Sequence, residues 1–222
     1  MFIMKNQNKR YVLWAVAVVV VIGAIFGVVK LAAKSKINNE AYIATTVLAI
    51  SDADHFKGNK DSKVNLVEYS DFQCPACGSY YPLLKKVNED YKAKIKFAYR
   101  HFPLPQHQNA KLAATVAEAA GNQGKFWEMH DMIFENQNDW AEAKDASAYF
   151  IKYAMALKLD LEKFKNDLSS EAIKNKIEND SKGGAEAGVN QTPTFFLNGK
   201  KLNYPQDYNE FKTILDQSIS QQ

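Results

Sequence analysis

The two cysteines of this chain, Cys74 and Cys77, lie close together in the stretch DFQCPACGSYYPLL, residues 71–84. Two thiols separated by two residues are compatible with three kinds of chemistry: half of a zinc site, a structural disulfide, or a redox pair whose disulfide forms and breaks. Each makes a different demand on the rest of the chain, so the surrounding sequence decides among them.

A zinc site and a structural disulfide are both poorly supported. Structural zinc needs four ligands, but the chain has no second cysteine pair and only four scattered histidines: His55, His101, His107 and His130. A disulfide across two residues closes a very small loop, whereas the stabilisation that a disulfide gives grows with loop length. We therefore expect a redox pair, with no metal and no cofactor.

The position of the pair also favours redox chemistry. The stretch KVNLVEYS (63–70) is typical of a buried strand, and apolar residues from Cys77 onward recur at helical spacing. Cys74 therefore falls at the start of a helix, with Pro75 in its first turn. The free N–H groups and positive dipole end of a helix N-terminus stabilise a thiolate. We expect Cys74 to be the attacking sulfur and the more buried Cys77 to be the resolving thiol.

The N-terminal segment predicts a membrane span. Tyr11 to Val29 is a run of 19 residues without a charge, about what a helix needs to cross a ~30 Å hydrocarbon layer. An uncleaved signal anchor fits better than a cleaved signal peptide, whose apolar core has about 7–15 residues. A buried core helix fits less well. Basic residues flank the run on both sides, so the positive-inside rule leans only slightly towards a cytoplasmic N-terminus.

The remainder, residues 37–222, has a net charge of −3, because the first 36 positions hold six basic residues and no acidic one. It has no basic excess of the kind that indicates a nucleic-acid partner. We expect residues 37–57, which are mostly polar, to be a tether with a short strand near 45–50. The rest is the right size for one domain.

The order of elements in that domain predicts an α/β fold. A strand at 63–70, a helix from Cys74 and a strand at 94–102 form a βαβ unit with a parallel pair. Amphipathic helical segments follow within residues 107–187. The stretch TPTFFLNGKKLNY (192–204) predicts a β-hairpin with an Asn-Gly turn, and 207–219 predicts a final helix.

Three stretches together resemble the DsbA-like branch of the thioredoxin superfamily, in particular the membrane-anchored disulfide oxidoreductases of bacteria. They are VEYSDFQCPAC (67–77), YRHFPL (99–104) and GVNQTPTFFLNG (188–199). The resemblance covers roughly residues 55–217. It implies a thioredoxin-like domain at 58–222 with an all-helical insertion at about 107–187, behind a membrane anchor at 1–36.

The resemblance also implies roles for further residues. In the family, the proline matching Pro193 is cis and lies against the cysteine pair, and the backbone before it, at Thr192, pairs with substrate polypeptide. The family often has an acid at the position of Glu68, which manages the proton of the buried cysteine. Because Glu68 shares a strand face with apolar residues, its charge needs such a reason. A purely structural Glu68 is the alternative.

The residues between the cysteines bear on the direction of electron flow. Whatever stabilises the reduced form makes the disulfide a stronger oxidant. Pro75 leaves the amides of Ala76 and Cys77 free to point at the Cys74 sulfur, which favours an oxidant. The best-known oxidases of the family carry a histidine where this chain has Ala76, and its loss weakens that effect. We expect an oxidising poise between the extremes.

We therefore expect an extracytoplasmic thiol–disulfide oxidoreductase that donates the Cys74–Cys77 disulfide to unfolded or partly folded exported proteins with free thiols. Cytosolic thiol buffers would keep such a pair reduced, so we expect a single-pass membrane protein with a cytoplasmic N-terminus. We also expect a monomer that is recycled by a DsbB-like membrane oxidase. The alternatives are a reductase or isomerase on the same fold, or a tethered binding or chaperone module.

Three aromatic side chains carry more specific expectations. We expect His101 and His130 to be buried and hydrogen-bonded. We expect Trp140 to be exposed, where it would be free to contact substrate.

Overall fold

The computed structural model describes the backbone of residues 4–221 and the side chains of 13–14, 16–36, 43 and 46–221. The chain forms two compact units that divide between Tyr42 and Ile43.

The first unit contains one long helix, α1 (Met4–Tyr42). Within it, Val16–Lys36 is long and apolar enough to cross a membrane, with a mean hydropathy of 2.6. The described apolar side chains of this span are exposed, including Leu31 at 70% and Phe26 at 62%. Such exposure is not expected of the core helix of a soluble domain, whereas a signal sequence and a membrane anchor share this length and composition.

The second unit is an α/β domain. Its elements in chain order are β1 (His55–Gly58), β2 (Asn65–Ser70), α2 (Pro75–Tyr91), β3 (Lys96–His101), α3 (Ala110–Gly121), α4 (Phe126–Glu135), α5 (Gln137–Trp140), α6 (Ser147–Ala156), α7 (Leu161–Asp167), α8 (Glu171–Glu186), β4 (Thr194–Leu197), β5 (Lys200–Lys201) and α9 (Tyr208–Ser220). The expected βαβ unit, helical insertion, hairpin and final helix are all present.

The sheet has the strand order β1-β3-β2-β4-β5, with β2 and β3 parallel and the other pairs antiparallel. β2 lies in the middle, so both of its edges are paired. Alternation along β2 sends Leu66, Glu68 and Ser70 to one face. In register with Glu68 are Tyr99 of β3 and Phe195 of β4. Glu68 is therefore the one carboxylate in the centre of the described sheet.

The helical insertion packs against the start of α2. One buried cluster joins insertion residues such as Met129 and Phe150 to Phe72 and both cysteines. A second cluster packs α9 and α2 on the sheet through Phe195 and its neighbours. The cysteine pair therefore lies where the insertion, α2 and the sheet meet.

The segment between α1 and β1 differs from the sequence-based expectation. The expected strand near 45–50 is wrong, since Ile43–Val47 forms a single π-helical turn and Leu48 is buried. The cause is Arg100 of β3, whose buried guanidinium donates to the carbonyls of Val47 and Ala49. It also forms an ion pair with Asp54, with Nε donating to Oδ1 at 2.7 Å. These carbonyls therefore bind a side chain rather than a neighbouring strand.

The expectation for Trp140 is also wrong. Its side chain is fully buried, its ring packs on Phe150, and its Nε1–H donates to the carbonyl of Ile133 at 2.9 Å. The expected burial of His101 and His130 is confirmed, and each is hydrogen-bonded to a carboxylate: His101 Nε2 to Glu118 at 2.8 Å and His130 Nδ1 to Asp131 at 2.8 Å.

Candidate active site

The Cys74–Cys77 motif begins at the end of the central strand. Cys74 is the N-cap of α2, in extended backbone conformation with φ −68° and ψ 122°, and Pro75 follows in the first turn. The Gly78 N–H donates to the Cys74 carbonyl at 3.1 Å, which closes that turn. Both cysteines are free thiols; Cys74 is 7% exposed and Cys77 is 1% exposed. The expected placement of the pair at a helix N-terminus is confirmed.

A buried aspartate, Asp71, holds the turn that leads into the motif. Its carboxylate accepts hydrogen bonds from the Gln73 N–H at 2.8 Å, the Leu104 N–H at 2.8 Å and His107 Nδ1 at 2.7 Å. Its own N–H points at the Cys77 sulfur at 3.5 Å. Asp71 therefore links the loop after β3 to the base of the cysteine pair. The sequence carried no signal for this link.

The helical insertion is also hydrogen-bonded to the cysteine motif, through Gln137 of α5. Its side-chain Nε2 donates to the carbonyls of Phe72 at 2.7 Å and Cys74 at 3.0 Å. A Cβ added at Gly78 would lie 2.2 Å from Gln137 Oε1, so a larger residue would displace the Gln137 amide from this contact. Glycine is unfavourable inside a helix. A glycine at position 78, inside the predicted helix, was therefore the sequence feature that could have indicated a side chain packed closely against α2.

The two thiols have pKa values shifted in opposite directions. The pKa of Cys74 is lowered to about 5, chiefly by a hydrogen bond from the Cys77 thiol. The amides of Cys77 and Ala76 lower it further, as does the nearby Thr192 hydroxyl, although that hydroxyl makes no formal hydrogen bond among the described residues. Burial raises the pKa of Cys77 well above its ordinary value, and the charges of Cys74 and Glu68 raise it further. Near neutral pH the reduced pair therefore holds one thiolate, on Cys74, and one thiol, on Cys77.

The loop before β4 reaches the cysteine pair. The Thr192–Pro193 peptide bond is cis. The Cys74 sulfur lies 3.4 Å from the Thr192 carbonyl oxygen, to which it donates when it is protonated. The Thr192 hydroxyl is buried and has no hydrogen-bond partner among the described residues. Thr192, which is 118 residues after Cys74 in the sequence, is thus brought into contact with the reactive sulfur, with Pro193 directly after it.

Glu68 lies on the inner side of the pair. It is 2% exposed, and burial raises its pKa to about 7, against the opposing effects of the Ser70 hydroxyl and the Lys57 charge. With Cys77, Lys57 and His130 it lines a narrow cavity of about 10 Å³, about the space that one water molecule needs. A carboxyl group with such a pKa can take up or release a proton near neutral pH.

The structure brings the seven residues singled out from the sequence to one place: Glu68, Cys74, Pro75, Ala76, Cys77, Thr192 and Pro193. It adds others that the sequence did not indicate: Ser70, Asp71, Tyr99, His107 and Gln137. Among the described residues, no group of three or more histidine, cysteine, aspartate or glutamate side chains is arranged to hold a metal ion. The arrangement suits thiol–disulfide exchange at Cys74, with a proton-exchanging acid beside Cys77.

Sequence comparison places residues 51–217 in the family whose model is described as Thioredoxin. The chain is also similar to two Na⁺/H⁺ antiporters of the NhaA type. It is 36% identical to NhaA 3 of Salinispora tropica over 168 residues, which is 75% of this chain and 25% of that protein. It is 38% identical to NhaA 1 of Salinispora arenicola over 164 residues, 73% and 24% respectively. The chain therefore spans about a quarter of the length of these relatives. The antiporter name belongs to those longer proteins.

Solved structures share the fold. BdbD of Bacillus subtilis superposes with a TM-score of 0.68 at 24% identity, covering 76% of this chain and 94% of its own. A variant of α-DsbA1 from Wolbachia pipientis superposes with a TM-score of 0.71 at 21% identity, covering 82% and 96%. A periplasmic thioredoxin-like protein from Salmonella enterica gives 0.65 at 15% identity, covering 80% and 97%. These likenesses establish a DsbA-like fold.

The unequal pair of thiols gives a direct prediction. Titrating the reduced protein by thiolate absorbance should reveal one cysteine ionising near pH 5, which is Cys74. Replacing Cys77 with Ala removes the largest stabiliser of that thiolate. Since a hydrogen bond to a charged group is worth about 1.5–3 kcal/mol, the pKa should rise by at least about one unit.

The matched control is Cys74→Ala, which keeps Cys77 in its buried position. It should show no thiolate below about pH 8, because burial disfavours the charged form. A low-pH titration that survives in Cys74→Ala and vanishes in Cys77→Ala would contradict the assignment.

Proposed function

The chain belongs to the thioredoxin family of thiol–disulfide oxidoreductases and has the DsbA-like form of its fold, and from that premise we propose that it is a protein disulfide oxidase. It donates the Cys74–Cys77 disulfide to exported proteins that have free thiols. The observation that carries this proposal is the placement of Cys74 at the start of α2 with a lowered pKa, because a stabilised thiolate favours the reduced form of the pair.

The exchange takes place in two displacements. A client thiolate attacks Cys74 of the oxidised pair, the Cys74–Cys77 bond breaks, and a client–Cys74 mixed disulfide forms. Cys77 leaves as a thiolate and takes a proton from Glu68, which lies on the same side of the pair. A second client thiolate then attacks the client sulfur of the mixed disulfide, and Cys74 leaves as a thiolate. Two electrons pass from the client to the pair, and the client gains a disulfide.

The pKa values set the preferred direction of this exchange. The pKa of Cys74 in the folded protein, about 5, lies below the value of about 8.5 for a free cysteine. A depressed pKa stabilises the reduced protein at pH values above the unfolded pKa, and the contribution is lost as the pH falls through about 5. At neutral pH the reduced form is therefore favoured, and a low-pKa thiol is also the better leaving group.

Glu68 supplies the proton that Cys77 needs. A Cys77 thiolate released into a buried site is costly, and the pKa of Cys77 lies well above neutral. Because the pKa of Glu68 is raised to about 7, an appreciable fraction of the carboxyl is protonated near neutral pH. Transfer of that proton to Cys77 leaves the negative charge on the weaker base. Glu68 then regains a proton from solvent.

The client chain binds at the loop that carries Thr192. Its carbonyl is in contact with the Cys74 sulfur, so a client backbone N–H placed there would pair with the loop while the client sulfur meets Cys74. Clients are unfolded or partly folded, because their cysteines must be accessible. The protein acts as a monomer, and each turnover leaves a dithiol that a DsbB-like membrane oxidase re-oxidises.

The proposed location is the outer side of the cell membrane. α1 provides one helix that can span the membrane, and a solved structure of the same fold is named as periplasmic. The pair would stay reduced in the cytosol, where it could donate nothing. The N-terminus is then cytoplasmic and the catalytic domain extracytoplasmic.

The oxidase activity is tested with the full chain in detergent. Oxidised protein mixed with reduced, unfolded ribonuclease A should form client disulfides, counted by mass spectrometry after thiol blocking. Cys74→Ala should form none. In bacterial cells, Cys77→Ala should accumulate mixed disulfides that form when the Cys74 thiolate attacks client disulfides, because Cys77 is no longer there to displace the client. Two results together would identify a reductase instead. The client would be oxidised only when glutathione disulfide is added, and the parent protein would reduce client disulfides.

The location is tested by fractionation. The full-length protein should stay with membranes during alkaline carbonate extraction, and its intact mass should include α1. A protease added outside spheroplasts should digest the domain. A soluble form that begins between about residues 33 and 38 would show that the segment is a cleaved signal peptide.

A further inference from the structure

Besides the Thr192 hydroxyl on the Cys74 side, two buried hydroxyl groups on the sheet side of the cysteine pair lack hydrogen-bond partners among the described residues. They are Ser70 Oγ and the phenol oxygen of Tyr99, and both side chains are 1% exposed. Buried polar atoms nearly always have a partner in protein or ordered water. Two such exceptions at one site therefore call for a physical explanation.

The sheet places these hydroxyls next to Glu68. Ser70 follows Glu68 by two residues on the same face of β2. Tyr99 is the residue of β3 in register with Glu68. All three side chains therefore project from neighbouring sheet positions towards the side where α2 carries Cys77.

The Ser70 hydroxyl is central to this group. It lowers the pKa of Glu68, of Cys77 and of Tyr99, so it lies near all three, although it forms no hydrogen bond with any of them. Burial, followed by the charges of Glu68 and Cys77, raises the pKa of Tyr99 well above its ordinary value. Tyr99 therefore remains a protonated donor across the whole working pH range.

A buried water typically makes two to four hydrogen bonds to polar groups that otherwise have no partner. The Ser70 and Tyr99 hydroxyls, the Glu68 carboxyl and the Cys77 sulfur supply such a set. We infer that the Ser70 and Tyr99 hydroxyls bind a buried water and, with it, carry the proton between Glu68 and Cys77. This inference deepens the proposed function, since it rests on Glu68 as the proton donor.

The proton transfer balances at every step. When the Cys74–Cys77 bond breaks, Cys77 leaves with the bonding electron pair and accepts a proton from the Ser70–water chain. Glu68 replaces the proton that the chain has lost. The products are the Cys77 thiol and the Glu68 carboxylate, and the hydroxyls end unchanged. Re-oxidation of the pair runs the same chain in reverse.

Other titratable groups surround Glu68 and bear on its pH dependence. They are Lys57 from β1, Lys85 from α2, and His130 and Asp131 from α4. Burial lowers the pKa of His130 to about 4, so it stays neutral between pH 5 and 8. The small cavity lined by Glu68 also touches Lys85 and Asn88 near the surface, which gives Glu68 a route to exchange its proton with solvent.

The test variants are Tyr99→Phe, which removes one oxygen atom, and Ser70→Ala. Tyr153→Phe is the matched control: Tyr153 is another buried tyrosine whose hydroxyl has no described partner, but it lies near Asp139 and Tyr149 rather than near Glu68 or Cys77. Each oxidised full-length protein is mixed in detergent with reduced glutathione, and the rate of disulfide reduction is followed from pH 5 to 8. This reaction breaks the same bond whichever direction the protein serves in the cell.

The parent rate, normalised to the glutathione thiolate concentration, should decrease above about pH 7 as Glu68 loses its proton. Tyr99→Phe and Ser70→Ala should be about tenfold slower below pH 7 and should lose this pH dependence, since general acid catalysis contributes ~10²-fold or more. Tyr153→Phe should match the parent. In a Cys74→Ala background, Ser70→Ala should raise the pKa of Cys77, which a purely structural role for Ser70 would leave unchanged.

Parent-like rates and pH profiles in Tyr99→Phe would overturn the inference. Glu68→Gln separates this failure from failure of the proposed function. A slow Glu68→Gln variant beside an unchanged Tyr99→Phe variant means that Glu68 donates its proton by another route. Unchanged rates in both variants mean that the proton step assigned to Glu68 is itself wrong. If Ser70→Ala does not fold, Tyr99→Phe decides the matter.

Discussion

The structure depends on one electrostatic asymmetry: Cys74 is held where a thiolate is stable, and Cys77 is held where it is not. The N-terminus of α2 supplies amide donors to Cys74, and the Cys77 thiol itself donates to the same sulfur. Cys77, three residues further into the helix, meets the buried sheet and the Glu68 carboxyl instead. A helix that began one residue later would lose this difference, because only the first turn has free N–H groups.

The other parts of the domain keep that helix start in place. Asp71 fixes the turn before it and ties the turn to the loop after β3. Gln137 holds the backbone of the turn from the insertion side, and the Thr192 carbonyl closes the outer side of Cys74. Three segments that are distant in sequence thus position one sulfur. The helical insertion therefore forms part of the active site, because its Gln137 holds the backbone on both sides of the turn before Cys74.

Much of this was predictable from the sequence, and the exceptions have physical causes. The buried strand at 65–70, the amphipathic helices and the Asn198–Gly199 hairpin all have strong local patterns. The cysteine spacing and Pro75 located the reactive sulfur. By contrast, α5 is one turn long, and β1 has three half-buried residues and one exposed residue, so neither has a recognisable period. Trp140 was misplaced because burial of an aromatic side chain on a short helix depends on tertiary packing.

The polar contacts of the site were the least predictable. The bonds from Asp71 to Leu104 and from Gln137 to Cys74 join residues 33 and 63 positions apart, and no periodicity reports such pairs. The burial of Glu68 was predictable because its strand neighbours are apolar, but the Ser70 and Tyr99 hydroxyls beside it were not. Pairing register places Tyr99 opposite Glu68, and register follows from the whole sheet rather than from either strand alone.

The most direct test of the account is the reduction potential of the Cys74–Cys77 pair, measured by equilibrium with glutathione buffers at pH 7. A cysteine pKa of about 5 lies between the values of about 7 in reducing thioredoxin and about 3.5 in oxidising DsbA. Their potentials are about −270 and −120 mV. The account predicts a potential less negative than about −200 mV, as an oxidant requires. A value near −270 mV or below would contradict it, since the pair would then be a reductant despite the stabilised thiolate.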